Sequence, residues 1–341
     1  MRTATLTDAG TVEVQDSPRP EPDPNELLVA VDACGVCTTD FHMYSGSLTV
    51  EYPMVAGHES AGEIVEVGKE VTGFERGERV GINPSVPCNE CRACKAGREN
   101  LCNDLTSIGG AATNIVEGAF AEYVRVPAGN VEPIGDLPSR TAAFAEPLGC
   151  CINGLDQVDL RSGETALVAG AGTIGLLLVQ LLRLDGAGRI VVSEPLAERR
   201  EMALATGADH AVDPTETDVT TAVPDLVGDV DVAIEAVGIP AVIEQAHELT
   251  GPGGRTLVFG VQPEDATVEF SAFDLFFDEQ QVLGTYSLTR DAFARAVTLL
   301  RNGRIDTDTL VTDEFGLDGL ETAFEEMEAR DGLKKMIHPR R

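Results

Sequence analysis

The chain has 341 residues, of which 57 are Asp or Glu, 25 are Lys or Arg and eight are Cys. This length suggests two domains, and a hydrophobic content of 43% argues against wholesale disorder. The formal net charge of −32 argues against a nucleic-acid-binding protein, since phosphate contacts need cationic patches.

Short strands joined by turns are predicted in the first half of the chain, at 27–31, 61–67, 79–82 and 120–126. Gly and Pro residues lie between them, as is typical of turns. This half is therefore predicted to form a β-rich domain.

From residue 164 onward the pattern changes to strand, Gly-rich turn and helix, repeated. Strands are predicted at 165–169, 189–193, 230–235, 256–260 and 282–286, and helices at 174–184, 198–205, 293–301 and 317–327. Strands that alternate with helices imply an α/β fold with a doubly wound parallel sheet. The final stretch of the chain is predicted to return to mixed structure.

No apolar run approaches the ~18–20 residues of a membrane span, and the longest, 174–182, stops at Arg183. The first seven residues lack the apolar core of a signal peptide. We therefore expect a cytoplasmic protein whose cysteines stay reduced, so their spacing indicates metal binding or catalysis before disulfides.

Four cysteines, spaced C-x2-C-x2-C-x7-C, lie in a loop that is rich in Pro and Gly. Four thiolates in fifteen residues can close a tetrahedral shell around one Zn²⁺ and leave no open position for substrate. The predicted structural zinc site consists of Cys88, Cys91, Cys94 and Cys102.

A G-x-G-x-x-G turn joins the first strand and helix of the α/β region, and it is typical of dinucleotide binding. The candidate residues are Gly170, Gly172, Thr173, Ile174 and Gly175, whose helix N-terminus would meet the phosphates. Glu194 ends the second strand, where a carboxylate accepts hydrogen bonds from ribose and favours NAD. Arg199 or Arg200 could instead hold a 2′-phosphate, which keeps NADP possible.

A third group of residues is dispersed along the chain: 37–42, 57–59 and 145–148. It contains one Cys, one His and carboxylates, which could offer three ligands and one open position, as a catalytic zinc requires. No local spacing proves that these residues meet.

The sequence resembles the zinc-dependent medium-chain dehydrogenases, which include polyol, threonine, glucose and alcohol dehydrogenases. The motifs above occur in the same order along the chain as in that family. The resemblance covers essentially the whole chain. It is carried by residues 34–40, 57–59, the four-cysteine lobe and the stretches 118–123, 146–148 and 170–175. It implies a GroES-like catalytic domain at 1–152 with a zinc lobe at about 84–105, a Rossmann domain at 153–288, and a segment at 289–341 that returns to the catalytic domain.

The resemblance also implies roles for individual residues. Cys37, His58 and Glu146 would bind a catalytic zinc, with Glu59 beside the metal and able to enter its shell. Asp40 would orient His58. Two further residues would carry the substrate proton, Thr39 first and His42 next. Cys150 is an alternative to Glu146, because some alcohol dehydrogenases use Cys in this context.

Taken together, the sequence predicts an enzyme with two zinc ions per chain that oxidises a secondary alcohol of a polyol or sugar with NAD. Threonine 3-dehydrogenase, with an amino-alcohol substrate, and glucose dehydrogenase are alternatives within the family. An alternative of another class is a non-catalytic sensor that binds zinc and dinucleotide. The resemblance and the apolar strand at 282–286 also predict a homotetramer or homodimer, with no nucleic-acid or membrane partner.

The acidic composition generates a testable prediction about salt. Only four of the 25 cationic residues are Lys, and an acidic, Lys-poor surface resembles that of halophilic proteins. Because about 1 M ionic strength shortens the screening length to roughly 3 Å, salt should relieve the repulsion between carboxylates. We expect the unfolding temperature, measured by circular dichroism, to be higher at about 2–3 M salt than in dilute buffer. An unfolding temperature that falls with salt would contradict this.

Overall fold

The computed structural model describes all 341 residues and contains eighteen strands and eleven α-helices. The strands β1 to β18 are, in order, Arg2–Asp8, Thr11–Asp16, Glu26–Gly35, Glu59–Val67, Arg79–Ile82, Ser85–Val86, Thr106–Ile108, Asn114–Val116, Tyr123–Pro127, Val131–Pro133, Thr165–Ala169, Arg189–Ser193, His210–Val212, Val230–Glu235, Thr250–Val258, Gln281–Gly284, Val311–Phe315 and Lys334–Ile337. The helices α1 to α11 are Thr38–Ser45, Arg92–Lys95, Ser139–Ala142, Ala145–Val158, Thr173–Leu184, Ala197–Thr206, Val219–Val227, Pro240–Glu248, Ala272–Phe277, Arg290–Arg301 and Leu320–Glu328.

The chain forms two compact units, of which the first comprises Met1–Gly149 and Leu288–Arg341. Its main sheet has seven strands in the order β10-β5-β4-β3-β18-β17, with β9 also paired to β3. The central strand β3 is almost wholly buried, which explains its run of apolar residues. Helix α11 packs against α1, where the rings of Tyr44 and Phe324 stack with centroids 4.6 Å apart.

The second unit, Cys150–Ser287, contains a six-stranded sheet in the order β13-β12-β11-β14-β15-β16. Every neighbouring pair in this sheet is parallel. Helices that connect parallel strands bury the sheet on its faces, so β11 and β12 read as continuous apolar runs. The predicted fold class, a β-rich part and a doubly wound parallel sheet, is confirmed.

Several predicted elements have the bounds that periodicity gave, while others shift for identifiable reasons. Strand β9 begins at Tyr123 rather than at 120, because residues 120–122 bond mainly to the edge of β1, although the carbonyl oxygen of Glu122 also accepts from the N–H of Val31 in β3. Strand β15 begins at Thr250, six residues early. Its pairing to β14 jumps from Thr250 to Arg255 across a Gly- and Pro-rich bulge, which reads as a turn in the sequence.

In the Gly-rich turn between β11 and α5, the start of the helix packs very closely against the backbone of the preceding residues. Gly170 has φ +99°, in the left-handed region that favours glycine. A Cβ built on Gly175 would lie 2.0 Å from the carbonyl oxygen of Gly170. A Cβ on Gly172, where φ is −71°, would meet no atom within 4 Å.

These glycines give a matched pair of variants. We expect Gly175→Ala to lower the free energy of unfolding of the second unit by about 1–3 kcal/mol, because its methyl group overlaps a backbone oxygen. We expect Gly172→Ala to change it by less than about 1 kcal/mol. Urea unfolding followed by circular dichroism measures both, and equal midpoints for the two variants would refute this account of the turn.

Candidate active site

The candidate site in the first unit is built around the start of helix α1. Cys37 directly precedes the helix, and its backbone N–H donates to Oδ2 of Asp40 at 2.9 Å. Oδ1 of Asp40 accepts a hydrogen bond from the backbone N–H of Gly57 at 3.1 Å. Asp40 is fully buried, so its carboxylate fixes the segment at 37 against the segment at 57–59.

Glycine is required at position 57 on two grounds. Its φ of +93° lies in the left-handed region, and a Cβ there would come within 2.8 Å of the Phe120 ring. The close approach carries the chain past Asp40, so that the next residue, His58, faces the same carboxylate. The Nδ1 atom of His58 lies 3.2 Å from Oδ1 of Asp40, outside regular hydrogen-bond geometry.

Three side chains of different chemistry converge at this point. One donor atom each from Cys37, His58 and Glu59 lies within 4.8 Å of the other two. His58 and Glu59 are buried and Cys37 is partly buried. Since Nδ1 of His58 faces Asp40, Nε2 is the nitrogen left for a metal. Thiolate, imidazole and carboxylate are the ligands that Zn²⁺ takes in proteins, so this donor set fits a zinc ion.

The protonation of His58 reflects its surroundings. Burial alone would lower the pKa of His58, but the charge of Asp40 and the contact with Cys37 outweigh burial and hold the pKa well above its usual value. A metal ligand must be the neutral imidazole, so metal binding here would displace a proton.

Lys334 faces this cluster from strand β18, and no motif in the sequence marks this residue. Its Nζ lies 2.8 Å and 2.6 Å from the two carboxylate oxygens of Glu59, and both side chains are buried. Burial would lower the pKa of Lys334, but the charges of Glu59, Cys37 and Glu146 raise it above its usual value. The available signal was weak: adjacent lysines at 334 and 335 in a chain with only four.

Glu146 lies in the first turn of α4 and is 8% exposed. Its charge contributes to the raised pKa of Lys334, yet it does not belong to the group of donor atoms within 4.8 Å. Its assignment as a zinc ligand stays a prediction. Cys150, the alternative, belongs to the second unit.

Thr39 and His42, the predicted proton carriers, both lie on α1 and are partly buried. Residues three apart share one face of a helix. The carbonyl oxygen of His42 accepts hydrogen bonds from the hydroxyls of Ser45 and Ser47 and from the N–H of Leu48, which fixes the end of the helix. No hydrogen bond joins Thr39 to His42, so their relay stays a prediction.

The four predicted cysteines of the zinc lobe converge in the structure. The Sγ–Sγ distances are 3.5 Å for Cys91 and Cys94 and 4.0 Å for Cys88 and Cys94. Sulfurs bound tetrahedrally to one zinc at ~2.3 Å would lie about 3.8 Å apart, so this set also fits the ion. The fourth sulfur, of Cys102, accepts from the N–H groups of Cys88 and Asp104.

The thiols of this lobe differ in their pKa. Hydrogen bonds from the backbone of Cys94 and Asn103 lower the pKa of Cys91 to about 6. Desolvation and the neighbouring sulfurs raise the pKa of Cys94 to about 12. A thiolate therefore forms first at Cys91 and opposes ionisation of its neighbours, and a bound dication would remove that repulsion.

The lobe is also tied to helix α10, a contact that cysteine spacing does not reveal. Oε1 of Glu99 accepts from the backbone N–H of Arg290 at 2.8 Å, in the first turn of that helix. The Arg290 side chain donates to Oδ1 of Asn89 at 2.9 Å. A negative charge at a helix N-terminus is favourable, so the lobe stabilises the start of α10.

In the second unit, the predicted acidic residue meets the Gly-rich turn. Oε2 of Glu194 accepts from the N–H of Ala171 at 2.8 Å, and Oε1 accepts from the N–H of Leu196 at 3.0 Å. Arg200 donates to the carbonyl oxygens of Glu194 and Pro195 and pairs with Asp213. The other arginine, Arg199, is partly buried on the same helix, α6.

Beyond these sites, none of the helices is both long and apolar enough to cross a membrane.

Comparison with known families gives two matches. Residues 23–136 match the family described as "Alcohol dehydrogenase GroES-like domain", and residues 173–302 match that described as "Zinc-binding dehydrogenase". Together these ranges cover more than half of the chain.

Individual relatives are similar over almost the whole length. D-arabinitol dehydrogenase 1 of Uromyces fabae is 33% identical, over 93% of this chain and 91% of that protein. L-threonine 3-dehydrogenase of Pyrococcus horikoshii is 36% identical, over 91% and 90%. A crystal structure from Sinorhizobium meliloti, described as a zinc-binding dehydrogenase bound to NADP, superposes with a TM-score of 0.94 at 36% identity, over 99% of both chains. The chain therefore belongs to the zinc-dependent medium-chain alcohol dehydrogenases, a family of oxidoreductases.

Proposed function

We propose that this oxidoreductase transfers hydride from a secondary alcohol of a polyol or sugar to NAD, with the substrate hydroxyl at the zinc site of the first unit. The observation that carries the proposal is the convergence of Cys37, His58 and Glu59 beside the buried carboxylate of Asp40. The two compact units would be the catalytic and cofactor-binding domains. A second ion in the four-cysteine lobe would be structural.

The chain's own residues would prepare this reaction in four ways. Asp40, whose Oδ1 lies 3.2 Å from Nδ1 of His58, would orient this ring so that Nε2 is left for the metal. Thr39 would accept the proton of the substrate hydroxyl, and His42 would pass it onward. Cys37, His58 and a carboxylate would hold zinc, which when bound lowers the pKa of a substrate hydroxyl. The buried surroundings of Asp40 and Glu59 keep water away from these charges.

A polyol or sugar is favoured over threonine by the segment after α1. Gly46 ends the helix, and the hydroxyls of Ser45 and Ser47 lie 2.9 Å apart in an exposed turn. Threonine dehydrogenases, which the sequence also resembles, usually carry a Trp here, and this chain has none. The similarity to the Pyrococcus enzyme keeps an amino-alcohol substrate as the second candidate.

NAD is the proposed cofactor because of the charge at the end of β12. Glu194 is 5% exposed, and its carboxylate is held at the Gly-rich turn by Ala171 N–H, so it would repel a 2′-phosphate at this place. Arg200, which could attract such a phosphate, is already paired with Asp213 at 2.9 Å. The relative from Sinorhizobium binds NADP, so both cofactors have to be compared.

An activity screen tests the proposed function. We expect the wild type, at about 2–3 M salt, to reduce NAD faster than NADP with a secondary alcohol from a panel of polyols, aldoses and threonine. Cys37→Ser and His58→Ala should lower kcat/KM by about 10²–10⁴-fold, because zinc supplies several kcal/mol of charge stabilisation. Elemental analysis should find two zinc ions per wild-type chain and one in Cys37→Ser.

The matched control is Cys94→Ser, which should lose the other ion. One zinc ion in the wild type would contradict the assignment of two sites. Tight binding of dinucleotide without turnover of any substrate would favour the sensor alternative.

We further propose that a second copy of this chain covers the edge of the six-stranded sheet. Strand β16 lies at that edge, and Phe273, Phe276 and Phe277 on the preceding helix α9 are 68%, 80% and 70% exposed. Large exposed aromatic clusters in a chain of this charge indicate an interaction surface, and an open edge strand offers unpaired backbone groups.

Light scattering after size-exclusion chromatography tests this surface. We expect a dimer or tetramer for the wild type and a halved mass for Phe276→Asp, because a carboxylate cannot be buried unpaired in an apolar interface. Leu204→Asp, at a 46% exposed position on α6 of the same unit, is the control and should leave the mass unchanged. A monomeric wild type would disprove the proposal.

A further inference from the structure

The most unusual charged pair in the first unit is Lys334 with Glu59. The ammonium lies within 2.8 Å of both carboxylate oxygens, and the two side chains are 6% and 2% exposed. A buried pair of this kind costs desolvation energy and is weak evidence of a contribution to stability. Its place beside Cys37 and His58 indicates a role in the site.

The backbone holds Lys334 in this position. Strand β18 pairs antiparallel with β3, with Met336 opposite Gly35, and the N–H of Val36 donates to the carbonyl oxygen of Lys335 at 3.0 Å. Nζ of Lys334 also donates to the carbonyl oxygen of Val36 at 3.1 Å. The ammonium therefore has three oxygen acceptors on or beside two neighbouring strands.

The carboxylate of Glu59 lies against Gly35 of the neighbouring strand β3. Gly35 is paired with Glu59 across the sheet, and a Cβ on Gly35 would come within 2.2 Å of Oε2 of Glu59. The carboxylate thus occupies space that any larger residue at 35 would fill. An oxygen of this carboxylate lies within 4.8 Å of the donor atoms of Cys37 and His58, so it is near enough to enter the shell of an ion that these two residues hold.

Two cations would therefore compete for the carboxylate of Glu59. A zinc ion at Cys37 and His58 would attract the carboxylate, and Lys334 already occupies both of its oxygens.

We propose that Lys334 is a positioning residue that retains Glu59 outside the zinc shell, so that Cys37, His58 and Glu146 hold the ion and a fourth position stays open for substrate. This inference rests on the proposed function, because it needs a zinc ion at Cys37. It goes beyond that function by naming the group that sets the coordination number.

Cobalt substitution of the full chain tests the inference without relying on turnover. Co²⁺ replaces zinc at sites of this kind, and its visible absorption reports coordination geometry, with the bands of a four-coordinate ion stronger than those of a five-coordinate one. We expect the wild type to give strong bands, and Lys334→Met to lose about half of the intensity due to this site, with a shift to shorter wavelength, as Glu59 enters the shell. The four-cysteine site contributes equally to every variant and cancels in the difference spectra.

Two matched variants complete the design. Lys334→Arg keeps the charge and should keep the wild-type spectrum. In Lys334→Met with Glu59→Gln the spectrum should return to that of the wild type, because the competing carboxylate is gone. If Lys334→Met does not fold, Lys334→Gln, which keeps a hydrogen-bond donor without the charge, takes its place in the comparison.

The outcomes separate the inference from the function on which it rests. Unchanged bands in Lys334→Met, or a spectral change that persists when Glu59→Gln is added, would overturn the role of Lys334 while leaving the zinc site intact. A wild type whose cobalt spectrum is the same as that of Cys37→Ser would show no metal at this site, and the proposed function would fail together with the inference.

Discussion

The candidate site of the first unit depends on one buried carboxylate. Asp40 accepts hydrogen bonds from the backbone of Cys37 and of Gly57 and faces His58, so a single side chain brings together two segments that lie about twenty residues apart. Because Asp40 is fully buried, losing one of these donors would leave part of a buried carboxylate unpaired. Asp40 therefore sets the positions of both the Cys37 thiol and the His58 imidazole.

Local patterns predicted much of the architecture. The doubly wound sheet follows from apolar runs that alternate with helical periodicity, and the four-cysteine lobe and the Gly-rich turn follow from spacings within fifteen residues. The shifted start of β15 shows the limit of this approach. Its Gly- and Pro-rich segment is a bulge inside a strand, and only the neighbouring strand β14 makes that possible.

Contacts between distant parts of the chain could not be predicted in the same way. Lys334 meets Glu59 only because β18 lies beside β3 and β3 beside β4, which is a property of sheet order and leaves no local spacing. Glu194 was predicted to face a ribose, and sequence could not indicate that its carboxylate is already bonded to Ala171 of the turn. The charges of the site are thus predictable individually, whereas their pairing is a result of the fold.

The pairing of β18 with β3 has a consequence for how the protein is made. Glu59 and Lys334 are 275 residues apart in the chain, and the whole second unit is synthesised between them. During synthesis Cys37, His58 and Glu59 emerge early, at a time when the ammonium that will hold Glu59 does not yet exist. A metal ion that arrives in this interval meets a different set of charges from the one in the finished protein, so the order of synthesis and metal uptake becomes part of how the site is assembled.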